Sequence, residues 1–99
     1  MNTEIIDKIR TYFVGKPVLK AWIFGSVSRG EETPESDVDI LVQFDPSAKV
    51  SLFDHVGMVR ELEEILRRAV DLVTDGTLFP WIKPYVDNDK VLIYERKTA

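Results

Sequence analysis

Cysteine is missing from all 99 residues. That excludes a disulfide framework and a thiolate metal site, and it fits a reducing, cytoplasmic setting. Long apolar runs are missing as well. No stretch reaches the length needed to cross a bilayer, so no membrane partner is expected. The N-terminal MNTEIIDKIR has no basic region followed by a long apolar run, which argues against a secretory signal. Positive charge is in deficit: 13 Lys and Arg face 17 Asp and Glu, for a formal net charge of -4. Wrapping an extended nucleic acid needs a basic surface and is not the expected task. A single nucleotide remains possible, because magnesium can supply the positive charge.

What is present is enough for one modest core. Apolar residues make up 44% of the chain, and the length suits a single domain over residues 1–99. So small a domain is only marginally stable alone, and a homodimer or hetero-oligomer would help it. Ile5, Ile6, Ile9, Tyr12 and Phe13 recur at helical spacing, with Asn2 or Thr3 as cap and Gly15 and Pro17 as the stop. Val18 to Phe24 is a short, nearly continuous apolar run, which suits a buried strand. A short helix is expected over Ser26 to Glu32 and a second strand over Asp37 to Phe44. Ser51 and Asp54 form a capping-box pattern. They open a long helix whose expected buried stripe is Leu52, Val56, Val59, Leu62, Leu66 and Ala69. Glu63 with Arg67, and Glu64 with Arg68, are spaced for ion pairs on its wet face. Val70 to Thr74 and Val91 to Glu95 read as strands. Between them Leu78 to Tyr85 reads as a short helix weakened by Pro84. The order α-β-α-β-α-β-α-β predicts an α/β (α+β) fold, a sheet covered by helices.

Three acids break this pattern. Asp37 and Asp39 lie within a strand, and alternation points both to one face, roughly 7 Å apart at Cα. Asp71 sits in AVDLVT, also within a strand. If the two strands are neighbours, Asp71 lies about 5 Å away across the sheet. Unpaired, three such carboxylates repel one another, and one would keep its proton. Hard divalent cations relieve this, and two of them about 3.5–4 Å apart orient an in-line phosphoryl displacement. Gly25 and Ser26 supply the complementary half: a turn opening a helix presents free N–H groups to phosphate. Arg29 follows one turn later. The Gly25 to Gly30 spacing imitates a Walker A loop, but Glu31 and Glu32 follow where Lys and a hydroxyl residue are required. His55 has no second histidine to work with, and LFPWIKPY suits core or interface better than base stacking.

Gly25-Ser26, ten residues, then Asp37-x-Asp39 resembles the signature of the nucleotidyltransferase superfamily that includes DNA polymerase beta. More closely, GSVSRG, SDVDILV, VDLVT, Leu78, Pro84 and VLIYER together resemble the minimal nucleotidyltransferases, the MNT or MntA-like proteins of bacteria and archaea. Ser28 stands where many members carry alanine. The resemblance implies a mixed sheet flanked by helices and transfer of AMP from ATP. Asp37, Asp39 and Asp71 would hold magnesium, as two ions, with Asp71 also the general base. Gly25 and Ser26 would hold the triphosphate, assisted by Arg29. It further implies a type VII-like antitoxin that modifies a tyrosine of a partner HEPN ribonuclease toxin. The short chain fits this, since a partner must then present the acceptor. Two alternatives stand beside it: transfer to a small molecule such as an aminoglycoside, and an antitoxin that acts by contact alone.

Overall fold

The computed structural model describes residues 2–97. Helix α1 spans Thr3–Phe13, and Asn2 is its cap, with Oδ1 accepting from the N–H groups of Glu4 and Ile5. Strand β1 spans Val18–Phe24, helix α2 Gly25–Arg29, and strand β2 Val38–Phe44. Helix α3 spans Leu52–Leu66, strand β3 Val70–Thr74, helix α4 Lys83–Asp89, and strand β4 Val91–Glu95. The element order is the one expected. Two boundaries differ near the site. Helix α2 is shorter than expected because Gly30 takes the left-handed conformation and ends it. Asp37 precedes β2 by one residue.

The four strands form one sheet in the order β3-β2-β1-β4. Strand β1 is antiparallel to both β2 and β4, while β2 and β3 run parallel. The parallel pair needs a long crossover, and α3 provides it. Alternation assigns the two faces. Val38, Ile40 and Val42 of β2 join Ile9, Phe13, Ala21, Ile23, Leu62 and Leu72 in the main core, between the sheet and helices α1 and α3. Asp39 and Leu41 therefore face the opposite side. There Leu41 is paired with Trp22, the Lys90 ammonium lies 5.1 Å over the Trp22 ring, and Val86 of α4 is buried.

Helix α3 departs from its expected stripe. Its capping box is present, with Ser51 and Asp54 each accepting from the other's N–H. The buried residues, however, are Met58, Leu62 and Leu66, while Leu52 is 77% exposed and Val56 43%. A helix turns about 100° per residue, which carries Val56 well away from the direction those three share. Leu52 precedes the first packed turn. That turn begins at His55, whose Nε2 donates to the Leu72 carbonyl at 2.9 Å. Ala69 lies beyond the helix and is exposed.

The expected ion pairs on α3 do not form. Arg67 turns into the left-handed region at φ 57°, which breaks the four-residue spacing. Glu63 instead accepts from the Val70 N–H, and Arg68 reaches Glu32 at 2.6 Å. Pro84 opens α4 rather than weakening it, since the first turn of a helix needs no N–H there. Phe79, Trp81 and Tyr85 are exposed rather than core. The Phe79 and Trp81 rings are nearly parallel, at 11°, and their centroids are 6.1 Å apart.

Candidate active site

The three acids and the Gly-Ser turn meet at one end of the sheet. Strand β1 runs against β2 and β3, so its last residues lie beside their first. Phe24 pairs with Asp39, and Asp39 pairs with Asp71. Paired residues on adjacent strands point to the same face, so Asp39 and Asp71 project together, away from the main core. Asp37 is exposed at the approach to β2 and acts on Asp39 electrostatically. Val38, Ile40, Val70 and Leu72 point the other way and anchor both strands in the core.

Gly25 is fitted to this arrangement. Its φ is 71°, which disfavours any side chain, and a Cβ there would lie 2.2 Å from Asp39 Oδ2. The backbone of the turn thus lies against the carboxylate. The first turn of α2 has no side-chain cap, so its N–H groups remain available to an acceptor. Ser28 is a local brace, its hydroxyl donating to the Gly25 carbonyl at 2.7 Å. Ser26 is half-buried at the opening of the same turn.

The electrostatics single out Asp39. Desolvation by burial, then Asp71, then Asp37 push its carboxyl up to about 6, and Arg29 opposes them. The shift marks a partly buried carboxylate crowded by two others. Among the described residues, no three His, Cys, Asp or Glu side chains close into a ready-made metal cage. The donors still suit a hard divalent cation. They are carboxylate oxygens, they repel one another, and substrate phosphate oxygens can complete the shell. Asp37, Asp39 and Asp71 are the residues that would hold it.

Arg29 is not a free phosphate ligand. Its Nη1 donates to Asp89 at the end of α4, and its Nε donates to Glu31 at 3.3 Å. Reading the chain for motifs misses Asp89, because it lies 60 residues from its partner and belongs to no local pattern.

Comparison with known proteins bears on the family and the fold. The family model described as a nucleotidyltransferase domain matches residues 4–96. A Methanocaldococcus jannaschii protein named for protein adenylyltransferase activity is 38% identical over 92 residues, covering 91% of this chain and 92% of its own. A solved structure described as a minimal nucleotidyltransferase superposes with a TM-score of 0.72 at 29% identity, covering 92% of this chain and 95% of that one. A Shewanella oneidensis complex of an MNT antitoxin with its tri-AMPylated HEPN toxin gives a TM-score of 0.73 at 18% identity. That match covers 97% of this chain and 74% of that one, and it bears on the fold.

Proposed function

The chain belongs to the nucleotidyltransferase domain family, and from that premise we propose that it is a magnesium-dependent protein adenylyltransferase, transferring AMP from ATP to a tyrosine of a HEPN toxin as its antitoxin. One observation carries the chemistry: Asp39 is in register with Asp71, with the Gly25 backbone against its carboxylate. The relatives named for protein adenylyltransferase activity support a protein as acceptor. The solved complex with a modified HEPN toxin supports the kind of partner.

The residues divide the work. The first-turn N–H groups of α2 and the Ser26 hydroxyl hold the triphosphate at the positive end of the helix. Asp37 and Asp39, with Asp71 beside them, would hold magnesium, which would supply charge neutralisation for the displacement. Asp71 takes the proton of the tyrosine hydroxyl as its oxygen attacks the α-phosphorus. The bond to the bridging oxygen breaks and pyrophosphate leaves. Catalysis is mostly positioning and charge neutralisation, which a few residues on a rigid sheet edge can provide.

The test uses labelled ATP, magnesium and the protein product of the neighbouring reading frame. Label is expected on that product, and Asp37→Asn or Asp39→Asn is expected to reduce transfer by at least about a hundred-fold. Suppression of toxicity by unlabelled complexes would instead establish an antitoxin that works by contact. Label on aminoglycosides alone would establish the small-molecule alternative.

A further inference from the structure

We propose that Asp89 is a positioning residue for nucleotide binding, which fixes the Arg29 guanidinium at the end of the short helix whose first turn would take the phosphates. This inference rests on the nucleotide-transfer function proposed above. It begins with how Asp89 is placed. Asp89 ends α4, and Lys90 leads directly into β4. The first residue of β4, Val91, pairs with Ile23, which lies two residues before Gly25. The end of α4 is therefore fixed beside α2 by the sheet itself. Lys90 packs over Trp22 from the same junction.

Helix α2 is too short to order its own side chains. Its five residues form little more than one turn, and isolated helices of that length are not stable in water. Val27 anchors it in the core. Arg29, at the other end, needs a partner to fix its long side chain. Two carboxylates contact it, and they are not equivalent. The Asp89 side chain is 21% exposed, whereas that of Glu31 is 65% exposed. The less solvated pair is screened less and holds its geometry better. Asp89 therefore sets the direction of the guanidinium, and Glu31 only borders it.

The direction matters because Arg29 ends the same five-residue helix that Gly25 begins, so the two backbones lie about one turn apart. Without Asp89, the guanidinium keeps only the exposed Glu31 contact and its direction is no longer fixed. A guanidinium has five donors, and the contacts to Asp89 and Glu31 use two N–H groups. The remainder can face phosphate while Asp89 keeps its hold.

The experiment measures binding of magnesium and a non-hydrolysable ATP analogue by titration calorimetry, which needs no acceptor. Wild type, Asp89→Asn, Asp89→Glu, Arg29→Ala and the Asp89→Asn/Arg29→Ala double variant are compared after their folds are checked by circular dichroism. Asp89→Asn is expected to weaken binding about ten-fold, since misplacing a positioned group has effects of this order. Asp89→Glu should recover part of the loss. The double variant should bind no worse than Arg29→Ala, because the two residues act as one unit. In turnover with the partner, Asp89→Asn should raise KM for ATP more than it lowers kcat. Unchanged binding by Asp89→Asn, or losses that add in the double variant, would overturn the role. Failure of the wild type to bind the analogue would overturn it together with the nucleotide reading. Wild-type binding without transfer would overturn the transferase reading alone and leave the binding comparison to decide the role of Asp89.

Discussion

Gly25 carries a backbone requirement and a chemical one together. Its φ of 71° excludes a side chain on steric grounds, and the Asp39 carboxylate occupies the space a Cβ would need. Gly25→Ala should therefore destabilise the fold by about 2 kcal/mol, seen as a lower denaturation midpoint, and should abolish transfer. Asp39 gives a prediction of the opposite sign. Its carboxyl is held up at about 6 against 3.8 when unfolded. A raised folded value stabilises the protein below about pH 4, and that stability is lost as pH rises through about 6. Without divalent cation, Asp39→Asn should stabilise the protein at pH 8 by about 1 kcal/mol, after discounting for partial solvent exposure, while removing activity. Melting curves at pH 4 and pH 8 in chelator check this; equal shifts at both would contradict it. These residues could be read in the sequence because each breaks a local rule: a glycine ending an apolar strand, and acids inside apolar strands. Asp89 breaks no rule, since an acid at a helix end is ordinary, and only the β4–β1 pairing brings it to Arg29.

At the scale of elements, short-range chemistry accounts for most boundaries. The capping box at Ser51 and Asp54 starts α3 where expected. Ser51→Ala should lower stability by about 1 kcal/mol with little change in transfer, measurable as a drop in melting temperature of about 4–8 °C. The helix interior was less legible. Apolar spacing in LFDHVGMVRELEEIL is compatible with more than one buried direction. The contact of His55 with β3 and the seating of Met58, Leu62 and Leu66 choose among them. The same applies to Arg67 and Arg68. Their partners could not be inferred from four-residue spacing once the helix ended in a left-handed turn. Pro84 does not weaken α4, because proline interrupts a helix interior but suits a helix start.

For the molecule as a whole, the alternation of helices and strands was visible in the sequence, while the strand order was not. Nothing local says that β1 lies between β2 and β4, or that β2 and β3 run parallel. Yet that order assembles the site, because it brings the end of β1 and the starts of β2 and β3 to one edge. Among the described residues, no helix is long and apolar enough to cross a membrane. Phe53, Phe79, Trp81 and Tyr85 are exposed at the surface.

The central claim is that this edge transfers a nucleotidyl group rather than a phosphoryl group. The most direct measurement follows ATP labelled at the α-phosphate, and separately at the γ-phosphate, into the neighbouring gene's product in the presence of magnesium. The α-label is expected on the acceptor and the γ-label in released pyrophosphate. The γ-label on the acceptor, or neither label there while the two proteins remain bound, would contradict the account.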